Sequence, residues 1–277
     1  MWLNLATNLM EDFPIRSDLL FLPGHDRYSQ LAPLRDRYLK ELATFLRGSH
    51  VIAYSMGARL ALWSLYNQGI LHDISSLTLI SGHIGLQSDS ARKERFAKDV
   101  SLGHSLLQMD SKSYREFLLQ WNNQSIFEGR EINENELRLR GHASALGVGS
   151  ALIEYSTSIQ PDVSSYLESI TFPTTFIVGS KDVKYQELAN VAQRANPSLI
   201  SRVVVDGVSH DVLSTKPRHV ESTLRSTLSH FFDSTEVTSG AALLIELLQV
   251  IEVASYRAPS SRSQLVQGLG PVQPSLF

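Results

Sequence analysis

The feature that most constrains this chain is a serine placed between a strand and a helix. Residues 49–54 form the short apolar run Ser-His-Val-Ile-Ala-Tyr, typical of a buried strand, and residues 56–69 follow with the apolar spacing of a helix. Ser55 joins the two, with Ala53 two residues before it and Gly57 two residues after it. Small residues at these positions let strand and helix approach closely, so the serine hydroxyl is presented on a sharp turn. The alternative interpretation is a chance turn of small residues.

Strand and helix patterns alternate along most of the chain, which favours βαβ units and a parallel sheet. Strands are predicted at 18–22, 49–54, 76–81, 174–179 and 201–206, and helices at 30–46, 56–69, 184–195 and about 216–232. The stretch 88–170 breaks the alternation, because it has a helical pattern without a convincing strand. We therefore predict an α/β core made of residues 1–87 and 171–234, with 88–170 as an inserted helical cap.

The C-terminal part of the chain has a different character. Within 238–254, the segment Ala-Ala-Leu-Leu-Ile-Glu-Leu-Leu at 241–248 is an apolar run with a helical pattern. From Arg257 onwards Pro, Ser, Gln and Gly predominate and no core-forming pattern is found. We predict that 235–277 form a tail that is disordered or poorly docked.

Composition excludes several classes of function. The 277 residues, 43% hydrophobic and 19% charged, suit one soluble α/β domain with a substantial core. A net charge of -3 gives no electrostatic reason to expect nucleic acid or an anionic membrane, and no stretch has the roughly 18 apolar residues of a membrane span. The absence of cysteine excludes disulfides, thiolate catalysis and cysteine-ligated metals. Because no metal cluster or nucleotide-binding loop is visible, we expect no metal and no cofactor.

A serine on such a turn needs a base, and the base needs an orienting acid. Asp182 follows the strand predicted at 174–179, and His210 follows the strand predicted at 201–206. These strand ends meet at one edge of a parallel sheet, and the order Ser, Asp, His is that of the α/β-hydrolase fold. We predict this fold, with Ser55, Asp182 and His210 as catalytic residues. Taken singly, the aspartate would also suit a helix cap, and the histidine is one of nine.

Further segments resemble the SHCHC synthases (MenH-type enzymes) of menaquinone and phylloquinone biosynthesis, a family with this fold. The most specific segment is Ser-Gly-His-Ile-Gly-Leu-Gln at 81–87, which general hydrolases lack. The resemblance covers about 20–232, and its other segments lie at 22–25, 54–61, 92–99, 120–121 and 159–162. These enzymes eliminate pyruvate from 2-succinyl-5-enolpyruvyl-6-hydroxy-3-cyclohexene-1-carboxylate. The resemblance therefore implies a carbon–oxygen lyase that acts on a small polycarboxylate.

The resemblance also implies a role for each residue of the site. Ser55, activated by His210 and Asp182, would act as a general base that abstracts a substrate proton, rather than as an acylated nucleophile. The backbone N–H of Met56 would stabilise the oxyanion. The side chains that would bind or shape the substrate are Tyr54, Arg59, Arg95, Trp121 and Lys184. The alternatives are solvated surface charge for the arginines and core packing for the aromatic residues.

One departure from the family lies at the N-terminus. Family members begin with a strand ending in a His-Gly-rich turn, which supplies a second oxyanion N–H. This chain opens at Met1-Trp2, where the family would already be past that turn, so we expect an N-terminally truncated fold. The missing strand would lie between those at 18–22 and 49–54. Three alternatives follow: these strands pair directly, residues 2–9 fill the gap, or the chain is a fragment.

Three classes of function remain open from the sequence. The synthase-like lyase is favoured by 81–87 together with Arg59 and Arg95. A serine ester or carbon–carbon bond hydrolase would require an acyl-enzyme, and an inactive truncated or regulatory form would lack the oxyanion turn. No nucleic acid or membrane partner is expected, and the oligomeric state stays open. The pathway of the similar enzymes is compatible with bacterial cytoplasm and with a plastid.

Overall fold

A computed structural model describes residues 2–25, 31–127, 134, 137, 143–234 and 241–245. Its strands are β1 (Arg16–Leu20), β2 (Ser49–Tyr54), β3 (Ser76–Ile80), β4 (Thr174–Gly179), β5 (Ile200–Val205) and β6 (Ala241–Ile245). The helices before β4 are α1 (Trp2–Asp12), α2 (Arg35–Leu46), α3 (Met56–Asn67), α4 (Asp89–Leu107), α5 (Ser111–Asn122), a 3-10 turn (Ser125–Phe127), α6 (Ala145–Glu154) and α7 (Ser164–Ser169). Those after β4 are α8 (Val183–Ala195), α9 (Val212–Thr215) and α10 (Pro217–Ser234).

The six strands form one parallel sheet in the order β1-β6-β2-β3-β4-β5. Strands β2, β3 and β4 are buried along their whole length, as expected for strands covered on both faces. The five strands expected between residues 18 and 206 are all present, within two residues of their predicted ends. Among the described part of the cap stretch there are helices and no strand.

Alternate residues of each central strand serve two separate cores. Val51 and Ala53 of β2 belong to a core built with α2, α3 and α8, whereas Ile52 and Tyr54 belong to a core built with α1, α9 and α10. This follows from the two-residue period of a strand. Helix α1 enters the second core through residues 2, 5, 6 and 9, the spacing of one helix face. Within the described residues, no helix is long and apolar enough to cross a membrane.

The centre of the sheet differs from the prediction. The apolar run at 241–248 was expected to be helical, but Ala241–Ile245 form β6, which pairs with β1 on one side and with β2 on the other. The strands at 16–20 and 49–54 therefore do not pair directly, and residues 2–9 are helical. A short apolar run fits a strand covered on both faces as well as it fits a helix, so periodicity alone did not decide. The rest of 235–277 lies outside the described residues.

A proline in β6 tests whether this strand completes the sheet. Leu243 lies opposite Asp18 on one side and Val51 on the other. Because proline has no N–H to donate, Leu243→Pro should lower the free energy of unfolding by about 2 kcal/mol or more, measured by urea denaturation. The control Leu243→Val keeps the N–H and suits a strand. A proline variant as stable as the control would show that β6 does not occupy this place.

The histidine of β2 predicts how stability depends on pH. His50 is 1% exposed, its Nδ1 lies 2.8 Å from Ser76 Oγ on β3, and burial lowers its pKa from 6.5 to about 4. Between about pH 4 and 6.5 the unfolded chain therefore binds one more proton than the folded chain at this site. Stability should fall as pH falls through this window, by about 1.4 kcal/mol per pH unit.

Urea denaturation at several pH values measures that slope. His50→Gln should lower the slope of the free energy of unfolding against pH by the contribution of one proton, because the side chain no longer titrates. His72→Gln, which changes an exposed histidine, is the matched control and should leave the slope as it is. Equal slopes in wild type and His50→Gln would contradict the prediction.

Candidate active site

Ser55 stands on a strained turn at the carboxyl end of β2. Its φ of 49° and ψ of -108° are unusual for a residue with a β-carbon and require support from the surroundings. The Ser55 N–H donates to the Ile80 carbonyl oxygen at 2.7 Å, and the Ser55 carbonyl accepts from the Arg59 N–H at 3.1 Å. The turn is therefore tied to β3 on one side and to the first turn of α3 on the other.

A chain of two hydrogen bonds joins the three residues predicted from sequence. Ser55 Oγ lies 2.8 Å from His210 Nε2, and His210 Nδ1 lies 2.8 Å from Asp182 Oδ2. Because a carboxylate only accepts, Nδ1 carries the proton and Nε2 is left to accept the serine hydroxyl. His210 and Asp182 are buried, at 2% and 7% exposure. The arrangement is that of a hydroxyl made more basic by an oriented imidazole.

The alternative interpretation of Asp182 also has support. Its Oδ1 accepts the Tyr185 N–H at 3.4 Å, so this side chain caps α8 as well as meeting the histidine. The two roles use different carboxylate oxygens and do not compete.

The stretch 88–170, predicted to be a cap, contacts the histidine loop directly. The Ile126 carbonyl of the 3-10 turn accepts from the His210 N–H at 3.2 Å and from Ser209 Oγ at 2.9 Å. The histidine ring is also surrounded by aromatic rings, with centroid distances of 4.4 Å to Tyr185 and 6.0 Å to Phe127. These contacts restrict the position of the histidine ring.

Met56, the residue assigned to the oxyanion, is the first residue of α3. The first backbone N–H groups of a helix have no partner within it and carry the positive end of the helix dipole. Strand β6 ends at Ile245, opposite Ala53 and two residues before the serine.

Arg59 is a buried cation that forms no ion pair among the described residues. The residue is 8% exposed and its Nη1 has no hydrogen-bond partner there. Burial, followed by the charge of Arg95, lowers its pKa from 12.5 to about 10, while the charge of Asp99 acts in the opposite direction. A buried charge left unpaired is costly. A negatively charged group next to the Ser55 turn would lower that cost.

Two further cations predicted from the sequence belong to the same electrostatic neighbourhood. Arg95 on α4 bonds through Nε to Asp99 Oδ2 at 2.8 Å, and Ser156 Oγ donates to the same oxygen at 2.6 Å. Lys184 holds its Nζ 5.6 Å from the Tyr185 ring centroid. Partial desolvation of its ammonium group, followed by the charge of Arg95, lowers the Lys184 pKa, although the residue as a whole is exposed.

Two residues of this neighbourhood were not predicted. His83 is 3% exposed, its Nδ1 accepts the Gly85 N–H at 3.0 Å, and its buried Nε2 has no hydrogen-bond partner in the part of the chain that the structure describes. Burial, followed by the charges of Lys184, Arg59 and Arg95, lowers its pKa to about 3, so the ring is neutral. Tyr185 stands between the two histidines, edge-on to His83 at 5.9 Å. Their positions in the sequence could have indicated both residues, since His83 lies in segment 81–87 and Tyr185 follows Lys184.

The remaining predicted residues are Tyr54 and Trp121. Tyr54 is buried, donates its hydroxyl to Asp211 Oδ1 at 3.4 Å and has its ring 5.8 Å from that of His210. Trp121 packs on Phe117 within α5, at 5.6 Å between ring centroids. No ring or polar contact joins Trp121 to the serine or the cations in the described ranges. Over the same ranges, no group of three or more His, Asp or Glu side chains could hold a metal ion.

Comparisons with known proteins show what the chain as a whole is similar to. No protein-family model matches the chain. The 2-succinyl-6-hydroxy-2,4-cyclohexadiene-1-carboxylate (SHCHC) synthase of Yersinia enterocolitica is 26% identical over 231 residues, covering 75% of this chain and 81% of the relative. A putative enzyme of the same name from Bacillus subtilis is 28% identical over 176 residues, 61% of each chain. Protein PHYLLO, chloroplastic, of Arabidopsis thaliana is 26% identical over 212 residues, 72% of this chain and 12% of the relative.

Solved structures show the fold. MenH from S. aureus superposes with a TM-score of 0.65 at 22% identity, covering 76% of this chain and 82% of that one. A thermophilic esterase from Thermogutta terrifontis superposes with a TM-score of 0.56 at 16% identity, covering 83% and 85%. The α/β-hydrolase fold and the resemblance predicted from the sequence are thus confirmed. The chain is an α/β-hydrolase-fold protein related in sequence to the SHCHC synthases.

Proposed function

We propose that this protein is an SHCHC synthase-like lyase that eliminates pyruvate from a polycarboxylate substrate. The observation that carries the proposal is the position of Arg59, a buried guanidinium one helical turn after Ser55 that forms no ion pair among the described residues. The serine side chain is in turn hydrogen-bonded to His210. A polarised hydroxyl supplies a base, and the guanidinium demands an anion. The relatives bear the name of an enzyme whose product is a carboxylate.

The proton transfer would proceed through the hydrogen-bonded chain. His210 Nε2 accepts the hydroxyl proton of Ser55 while the serine oxygen takes a proton from substrate carbon. The electron pair of the broken C–H bond moves through the cyclohexene ring of the substrate, and the C–O bond to the enolpyruvyl group breaks. The leaving enolpyruvate takes up the proton that His210 has accepted and becomes pyruvate, which returns the imidazole to its neutral form. Asp182 holds the imidazole in the required tautomer and stabilises its positive charge.

The cations would recognise the substrate and stabilise its developing charge. Arg59 is fixed and desolvated, so its hydrogen bonds to a carboxylate are strong. Arg95 and Lys184 are more exposed and lie on the cap and at the start of α8, where they suit further carboxylates. The neutral His83 adds a donor without adding charge. The N–H of Met56 would bind the oxygen on which negative charge develops.

A serine hydrolase is the second candidate. It is favoured by the strained Ser55 turn, which equally suits an acylated nucleophile, and by structural neighbours named as esterases. The two reactions differ in their intermediate, because only the hydrolase forms a covalent adduct with substrate. An inactive or regulatory form is the third candidate.

The cellular setting follows from the proposed reaction. We propose a bacterial cytoplasm or a plastid, since the plant relative is named as chloroplastic. The partner would be the small polycarboxylate, with no nucleic acid and no membrane.

Pyruvate release from the intermediate tests the lyase. Wild type should release pyruvate. Lactate dehydrogenase reduces this pyruvate with NADH, and the loss of NADH absorbance measures the rate. Ser55→Ala should lower turnover by about 100-fold or more, because the base is lost. Ser64→Ala is the matched control, since the hydroxyl of this buried serine of α3 donates within its own helix, to the Ala61 carbonyl at 2.8 Å.

Two outcomes would contradict the proposal in different ways. A folded wild-type protein that releases no pyruvate above background would refute the lyase. Pyruvate release that Ser55→Ala leaves undiminished would refute the role of the serine.

Replacing the buried arginine should separate stability from activity. In Arg59→Met an apolar side chain of similar length replaces an unpaired charge, so the free energy of unfolding should rise by about 1 kcal/mol. Turnover should nevertheless fall by about 10-fold or more, because a charge-assisted hydrogen bond to substrate is lost. Urea denaturation and steady-state kinetics on one preparation measure both quantities.

Arg92→Met is the control for this experiment. The Arg92 guanidinium donates to the carbonyl oxygens of Ser158 and Gln160 at 3.0 and 2.7 Å. Its loss should destabilise the protein by about 1 kcal/mol or more, since two acceptors lose their donor. If Arg59→Met is destabilised as Arg92→Met is, then Arg59 has a structural role rather than a role in binding an anion.

A further inference from the structure

Two neighbouring strands are each followed by a serine with a positive φ of nearly the same value. Ser55 after β2 has a φ of 49° and Ser81 after β3 has a φ of 48°. Among the described residues other than glycine, Asp73 is the third with a positive φ. Such a conformation is costly for a residue with a β-carbon and persists where neighbouring groups hold it in place. The mechanism uses the strain at Ser55 and leaves that at Ser81 unexplained.

The contacts of Ser81 connect three parts of the sheet edge. The residue is completely buried, and its N–H donates to the Ile177 carbonyl of β4 at 2.8 Å. Its Oγ donates to the backbone carbonyl of His210 at 2.8 Å. His210 follows β5, which is separated from β3 by the whole width of β4. The positive φ aims a short side chain across that strand to the histidine loop.

This hydrogen bond completes the restraint of the histidine. The ring is held by Ser55 and Asp182 at its two nitrogens, and the backbone N–H is held by the Ile126 carbonyl. The carbonyl of the same residue is held by Ser81. The two hydrogen bonds at the ring nitrogens do not fix the backbone of His210. If its peptide group rotates, the ring moves with it and both hydrogen bonds are distorted. The Ser81 hydroxyl supplies that restraint from the core side.

We propose that Ser81 is a positioning residue, whose buried hydroxyl fixes the backbone of His210 so that the imidazole keeps its alignment between Ser55 and Asp182. Ser81 need not touch substrate for this. The effect on turnover rests on the proposed function, whereas the effect on the histidine does not.

Ser81→Gly separates positioning from stability. Glycine adopts the positive φ without strain, and this relief offsets the free energy lost with the hydrogen bond. The urea midpoint of unfolding of the variant should therefore lie close to that of wild type. Asp73→Gly is the matched control, because it relieves a φ of 75° at an exposed residue paired with Arg47. Ser81→Ala, which keeps the β-carbon and lacks the hydroxyl, serves if the glycine variant does not fold.

Two readouts are needed. Spectra of protein labelled with 15N-histidine report the tautomer of His210, assigned by its absence in His210→Gln. The kcat and KM for pyruvate release report alignment, since a misplaced catalytic group lowers kcat while substrate binding stays intact.

We expect wild type and Asp73→Gly to show one His210 tautomer with the proton on Nδ1. Ser81→Gly should show a mixture, together with a kcat about 10-fold lower and an unchanged KM. A folded Ser81 variant with the wild-type tautomer and a kcat within about twofold of wild type would overturn the proposal. If wild type releases no pyruvate, the lyase proposal fails and the tautomer alone decides the role of Ser81.

Discussion

The geometry of the Ser55 turn depends on the hydrogen bond from the Ser55 N–H to the Ile80 carbonyl. This hydrogen bond continues the β2–β3 ladder one step past the last strand residue and so holds a serine at a φ of 49°. From that position the hydroxyl meets His210, and the helix that follows begins with unpaired N–H groups. Without this tie to a buried strand, the strain at the turn would relax and the hydroxyl would leave the imidazole.

Beyond the turn, burial acts on two ionisable side chains of the site, the charged Arg59 and the neutral His83. Arg59 is buried and forms no ion pair among the described residues, so its desolvation is a cost to stability that a nearby anion would lower. His83 lies in the same neighbourhood and is held neutral by burial and by the nearby cations. Burial at this edge of the sheet therefore acts on both groups, because it disfavours the charged form of each.

Much of the fold was readable from the sequence because it depends on local patterns. Short apolar runs marked β2 to β5, and the spacing between them marked the helices, since both periodicities reflect burial along one element. The order of Ser55, Asp182 and His210 pointed to one constellation because strand ends in a parallel sheet share an edge. The prediction for 241–248 was wrong over Ala241–Ile245, since a run without a polar face fits a buried strand and a helix alike.

The sequence by itself predicted Ser55, Asp182 and His210 as a constellation, since a small–x–Ser–x–small turn and the strand-end positions of an acid and a histidine are local properties. Only the tertiary structure decided that Arg59 is buried with no ion pair among the described residues, that Tyr185 lies beside His83, and that a strand from the far end of the chain lies between β1 and β2. It also decided that Ser81 reaches across β4 to His210. These features depend on contacts between residues far apart in sequence, and desolvation and hydrogen-bond geometry exist only once those contacts form.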